Sequence, residues 1–349
     1  MGTSVGTVAG TTLRAVTAPR ALVLGVSGQD GSYLAELLVA RGYAVTGLVR
    51  RAPAPGAFSN LAAVEGAIDF VRGDVADADA LHDLVASVRP HEIYNVASTS
   101  TLHAAWADPL ACARETALPV AALLQAIVAV DPSIRLVQAS SAQVFGDPAE
   151  CPQHEGTARA PNEPYGAAKA YADALIDSYR RRHGVHASAA ILFNHESPRR
   201  PTAYVTRKVT RGAAAIALGH RERLELGDLE AVRDWSFAGD IAEAMWRMAT
   251  ADEPADYVLA SGVGRTVGDL VRTAFAAAGV EPDGRVAVDP ALVRPPQRTP
   301  SIGDPSRACA RLGWRPQTSF EDLVGAMVQR DLAELSGGDS QAVVTLHRS

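Results

Sequence analysis

Short apolar runs alternating with longer stretches of helical period set the rhythm of this chain. Ala21-Leu22-Val23-Leu24-Gly25-Val26 is followed by Tyr33-Leu34-Ala35-Glu36-Leu37-Leu38-Val39, whose apolar positions recur at helical spacing. The alternation repeats. Residues 44–49, 68–75, 91–97, 134–141 and 187–194 predict further strands, and residues 117–130 and 168–183 predict helices. Continuous apolar character marks strands buried on both faces. Strands alternating with helices predict an α/β fold, a Rossmann-type doubly wound parallel sheet with right-handed crossovers. Beyond residue 194 the rhythm loosens into short strands (222–226, 257–260), helices (204–218, 238–248, 267–278) and a proline-rich stretch at 290–305. This part reads as a smaller mixed α/β lobe for a substrate, partly intertwined with the first domain. The expected organisation is a leader over 1–19, a dinucleotide-binding domain over 20–193, the lobe over 194–330 and a tail over 331–349.

Composition narrows the class. Of 349 residues, 47% are hydrophobic and 21% charged, so the chain can bury a large core. A net charge of −6 gives no footprint for a nucleic-acid partner. Cys112, Cys151 and Cys309 are odd in number and far apart, which argues against a disulfide framework and against a metal site, and fits a reducing cytoplasm. The first twenty residues lack the basic and apolar segments of a signal peptide. No apolar run is read as reaching the ~20 residues of a membrane span.

The chemistry concentrates in two places. Gly25, Gly28 and Gly31 form G-x-x-G-x-x-G at a strand-to-helix junction, with Gln29 and Asp30 inside it. Glycines let the backbone approach a pyrophosphate, whose charge suits a helix N-terminus; a tight βα turn is the plainer alternative. Arg50, with Arg51, ends the second strand where an NAD site usually has an acid, so the expected cofactor is NADP, with NAD the alternative. Asp74, beside Val75, is a candidate for the adenine amino group or a cap for the next helix. Ala97 and Ser100 follow the fourth strand, where ligands gather. Tyr165 and Lys169 lie one helical turn apart, a credible acid–base pair in which the ammonium lowers the tyrosine pKa. Ser141, after the fifth strand, would hydrogen-bond the same substrate oxygen.

Several stretches are more specific: 28–34, Glu92-Ile93-Tyr94-Asn95, 191–200 with Asn194-His195-Glu196-Ser197-Pro198-Arg199-Arg200, Val205-Thr206-Arg207-Lys208, 226–235, Gly303-Asp304-Pro305-Ser306 and Leu312-Gly313-Trp314. Through them, from about residue 20 to 316, the chain resembles the extended short-chain dehydrogenase/reductases and, within these, the GDP-mannose 4,6-dehydratases. The resemblance implies NADP retained through turnover, a GDP-sugar in the C-terminal lobe, and a homodimer or homotetramer. It makes Tyr165 the base for C4 oxidation and Lys169 its partner, with Ser141 in place of the family's Thr. It makes Asn194, Glu196, Lys208, Arg233 and Arg294 substrate residues, and cations facing a diphosphate suit that role. For Arg233 an ion pair with Asp234 is the alternative, and for Arg294 a solvated loop. Arg199 and Arg200 read as a surface pair. One position departs. Gln143 stands where the family has a Glu that removes the C5 proton, and a carboxamide has no basic lone pair near pH 7. The expectation is a C4 oxidation apparatus with elimination in question. An epimerase or 4-ketoreductase is the alternative, with His103 or Cys112 as candidate acid–base groups for epimerisation, and a weakly active binding paralogue is a third reading.

Overall fold

In the computed structural model, which describes residues 18–51, 57–98, 102–293 and 299–337, the first apolar run is β1 (Arg20–Leu24), which enters α1 (Gln29–Ala40) through the glycine turn. β2 (Ala44–Val49), β3 (Ile68–Arg72), α2 (Ala78–Val88) and β4 (Glu92–Asn95) follow. Asp77 caps α2 by accepting from Ala80 N–H. Next come α3 (Leu102–Ala107), α4 (Pro109–Thr116), α5 (Leu118–Val130), β5 (Arg135–Ala139), α6 (Pro164–His183) and β6 (Ala187–Leu192). The C-terminal part supplies β7 (Asn194–Glu196), α7 (Val205–Ala217), β8 (Leu224–Leu226), β9 (Val232–Phe237), α8 (Ala238–Thr250) and β10 (Tyr257–Leu259). It ends with β11 (Gly264–Thr266), α9 (Val267–Ala277), β12 (Val286–Val288), α10 (Ser306–Leu312) and α11 (Phe320–Leu335).

The main sheet has seven parallel strands in the order β10-β6-β5-β4-β1-β2-β3. Strand order reverses between β1 and β4, which opens the crevice where this architecture binds ligands. One core, on the α1 and α8 face, joins Val23, Leu34 and Leu38 to Ile241, Met245 and Met248. The other joins Leu22, Leu24 and Ile93 to Leu81, Leu123, Ile127 and Ile176 on α2, α5 and α6. The lobe has its own core, in which Trp235, Leu270, Phe275 and Val328 meet.

β10 and α8 lie beyond residue 193 yet belong to the main sheet and one of its cores, so the two parts intertwine there. Three expectations need correction. Residues 331–335 belong to α11 rather than to a tail, and Asp331 is fully buried, 2.9 Å from Arg207. Residues 109–130 do reach membrane-span length and hydropathy, but as two successive helices with half of their most apolar window buried inside the fold. α6 begins at Pro164, not 168, because proline suits a first helical turn that needs no N–H. Tyr165 and Lys169 therefore both sit in its opening turns.

Candidate active site

The glycine turn is shaped by contact as much as by ligand chemistry. Gly25 has φ +82°, and a Cβ there would lie 2.9 Å from Ala97 N. A Cβ at Gly31 would lie 2.2 Å from the Gly25 carbonyl oxygen. The turn thus brings Ala97, after β4, against β1. Gly28 precedes α1, and no side chain caps that helix, so its first N–H groups remain for an anion. That arrangement fits a dinucleotide pyrophosphate. Gln29 is buried and ties the turn to the other lobe: its amide donates to the His195 carbonyl, and its carbonyl accepts from Ser197 Oγ. Asp30 faces the same way, with both carboxylate oxygens 3.0 Å from His195 Nε2. Burial would raise the Asp30 carboxyl, but His195 and then Arg200 hold it down to about 2.

Tyr165 is half-buried, and its hydroxyl hydrogen-bonds Ser98 and Ser141. Burial pushes its pKa up, and those two bonds oppose the rise. The expected lowering by Lys169 is not what governs this phenol. Lys169 is buried, with Nζ 5.6 Å from the Tyr165 ring centre, and donates to the Ala139 carbonyl oxygen at 2.6 Å. Burial brings its pKa down to about 8, against the attraction of Asp173 and Asp30. The Ala139 carbonyl also accepts from Gln138, which accepts from Asn95, so a buried polar chain crosses β4 and β5 to the ammonium. Asp173 lies one turn beyond Lys169, accepts from Ser140 Oγ at 2.9 Å, and is pushed up to about 6 by burial.

Gln143 sits in a short 3-10 turn, Ala142–Phe145, capped when Ser141 Oγ accepts from Gln143 N–H. A Cβ at Gly166 would lie 2.4 Å from the Gln143 carbonyl oxygen. Only glycine allows α6 to start so close, and this contact joins the turn to the residue after Tyr165. Gln143 lines a narrow cleft with Phe145, Gln153, Pro300 and Ser301. Ser301 bridges to Arg233 on β9, so the turn faces the lobe.

The other expected residues divide. Arg50 is exposed directly after β2. Asp74 is exposed and accepts from Ala76 N–H, so it stabilises its own turn and does not cap α2; Val75 beside it is half-buried. Asn194 opens β7 opposite Trp235 on β9, two residues from Arg233, and Arg233 donates to the Val232 carbonyl. Asp234 is occupied by Ser261, Gly262 and Gly303. Lys208 is half-buried on α7 and makes no ion pair with any described residue. Glu196 is 2% exposed, accepts from Thr206 Oγ1 and lies 3.2 Å from Arg200, so it is engaged within the lobe. Arg199 and Arg200 are not a free surface pair. Arg199 packs on Tyr33 and bonds Glu36, and Arg200 packs on Tyr204. Ser100 and Arg294 lie outside the described residues.

Cys112 packs in a small apolar cluster against Tyr165, and burial pushes its thiol up, which leaves it a poor base. His103 is exposed on α3. No group of metal-ligating side chains occurs among the described residues. Sequence reasoning missed Ser98 and His195. Ser98 carried a signal, its place at the end of β4, whereas His195 only became visible as part of the folded contact.

Residues 22–327 match the family model for GDP-mannose 4,6 dehydratase. The chain is 40% identical over 342 residues to the GDP-mannose 4,6-dehydratase of Sinorhizobium fredii, covering 91% of this chain and 97% of that one. It is 38% identical over 339 residues to GDP-mannose 4,6 dehydratase 2 of Caenorhabditis elegans, covering 90% and 89%. Among solved structures it is similar to RMD from Pseudomonas aeruginosa complexed with NADPH, with TM-score 0.77, 25% identity and coverage of 91% and 100%. UDP-glucose 4-epimerase from Thermotoga maritima shares the fold at TM-score 0.80 and 21% identity, with coverage of 91% and 99%.

Proposed function

The chain belongs to the GDP-mannose 4,6-dehydratase family of extended short-chain dehydrogenase/reductases, and from that membership we propose that it acts on a GDP-hexose by transient oxidation at C4, with NADP as cofactor. The observation that carries this reading is the hydrogen-bonded group Ser141–Tyr165 beside buried Lys169. When bound, the nicotinamide supplies the hydride acceptor. Tyr165, ionised to the phenolate, takes the C4 hydroxyl proton and becomes a phenol, Ser141 donates a hydrogen bond to the same oxygen, and Lys169 places a positive charge beside the phenolate before the transfer. The uncapped start of α1 supports pyrophosphate binding, and exposed Arg50 after β2 supports the 2′-phosphate of NADP over NAD. The NADPH carried by the Pseudomonas relative agrees with that choice. Asn194, Lys208, Arg233 and Arg294 are proposed to hold the GDP moiety. A homodimer or homotetramer in the cytoplasm completes the reading.

Gln143 favours a second reading. Its carboxamide cannot remove the C5 proton, and loss of a positioned base costs roughly 10²–10⁴ in rate. A C4 epimerase or 4-ketoreductase on a related GDP-sugar needs only the hydride step. Incubation with GDP-mannose and NADP(H), followed by mass spectrometry, separates the outcomes. Loss of one water means dehydration. Unchanged mass with new retention means epimerisation, and a two-hydrogen change means net oxidation or reduction. Absence of both binding and reaction rejects the substrate assignment. Gln143→Glu is expected to raise water loss by about 10²-fold or more over the parent; an unchanged rate would remove Gln143 from the elimination step.

A further inference from the structure

Two acceptor oxygens face the two nitrogens of the His195 ring. Nδ1 lies 2.8 Å from the Phe193 carbonyl oxygen, and Nε2 lies 3.0 Å from the Asp30 carboxylate. A carbonyl oxygen and an ionised carboxylate only accept, so both ring nitrogens must carry protons. The ring is an imidazolium, and with Asp30 it forms a pair of zero net charge. The two residues are 165 positions apart in sequence and come from opposite lobes.

The surroundings define what that charge does. From α1, the Gln29 amide donates to Asp30 and to the His195 carbonyl. Beyond β7, Arg200 repels the imidazolium and attracts Asp30, while buried Glu196 is engaged by Arg200 and Thr206. From α6, Tyr165 and Lys169 both feel the Asp30 charge, which makes the Tyr165 phenol harder to ionise. Asp30 itself occupies the first turn of α1. That is where uncovered N–H groups would draw a pyrophosphate, and an unscreened carboxylate there would repel it.

We propose that His195 is a positioning residue whose ring charge screens Asp30, so that a nicotinamide dinucleotide can bind at the start of α1 and Tyr165 can ionise beside it. The inference rests on the cofactor reading above. The sign follows from the geometry. Burial opposes the charge, but the Asp30 partnership outweighs it and raises the His195 pKa above its ordinary value, so the charge is lost only as pH rises through the raised value. Above it, Asp30 keeps only the weaker attraction of Arg200 and cofactor affinity falls.

The test is titration of NADPH into the full chain by calorimetry from pH 6 to about 9.5, with circular dichroism as a check on folding. For the parent, Kd is expected to be flat at low pH and then to climb by about tenfold in total as the ring charge is lost. His195→Asn should bind about tenfold more weakly at neutral pH, with that rise abolished. Asp30→Asn should also lack it, and Asp30→Asn/His195→Asn should recover affinity lost in His195→Asn, because no carboxylate remains to be screened. A parent that binds neither NADPH nor NADH overturns the cofactor reading itself. A parent that binds without the pH rise overturns the inference alone. So does a double variant as weak as His195→Asn, which would mean that the ring only packs.

Discussion

Two carboxylates flank the Tyr165–Lys169 pair and behave in opposite ways. Asp30 and Asp173 are both withdrawn from solvent, yet one is held at about 2 and the other rises to about 6. The difference lies in their partners. Asp30 has an imidazolium in contact with both oxygens and Arg200 behind it. Asp173 has the neutral Ser140 hydroxyl, a guanidinium nitrogen only at 3.5 Å, and one oxygen with no hydrogen-bond partner. Burial alone penalises either charge; a cation at bonding distance reverses the outcome. Lys169 therefore sits between a fixed anion on α1 and a titratable one within α6.

The largest effect that would test this contrast is at Lys169. Lys169→Met should lower the rate of C4 hydride transfer by about 10²–10⁴-fold and raise Asp173 further while leaving Asp30 low. Steady-state assays give the first result, and carboxyl titration by nuclear magnetic resonance gives the second. Next in size is an opposition of signs in stability. The folded-state value of Asp30 lies below the ordinary 3.8, so its ionisation stabilises the fold above pH 3.8, and this is lost as pH falls through about 2. Asp173 lies above 3.8, so the fold is favoured while it is protonated, and stability falls as pH rises from 3.8 through about 6. At pH 7, urea unfolding should find Asp30→Asn destabilised by about 2 kcal/mol and Asp173→Asn stabilised by about 2 kcal/mol. Shifts of the same sign would break the contrast. The smallest effect is at Arg199, which packs on Tyr33 rather than beside Asp30. Arg199→Ala should cost about 1 kcal/mol in unfolding free energy without moving the Asp30 titration.

Much of this site was legible in the sequence because its spacing is local. The helical turn from Tyr165 to Lys169 needs no tertiary knowledge, and neither does the glycine turn after β1. Asp173 could have been read too, since it stands as far beyond Lys169 as Lys169 does beyond Tyr165. His195 could not. A histidine in a polar loop gains its partner only when β7 is brought against the start of α1, and no periodicity encodes that contact. The partners of Glu196 were hidden for the same reason: only the fold turns it toward Thr206 and Arg200. The secondary-structure pattern likewise gave the strands of the main sheet but not their membership. Tyr257–Leu259 looks like any short strand until its pairing with β6 is seen.

That pairing bears on how the chain comes off the ribosome. β10 completes the edge of the main sheet beside β6, and α8 contributes Ile241, Met245 and Met248 to the core that also holds Val23, Leu34 and Leu38. A nascent chain that has emerged only as far as β6 thus has an open strand edge and an uncovered apolar layer, the two features that invite aggregation. The cofactor half is not a module that matures first and waits for a lobe. Its sheet edge and one of its apolar layers are completed only by residues more than sixty positions beyond β6, so its full packing needs both halves of the chain.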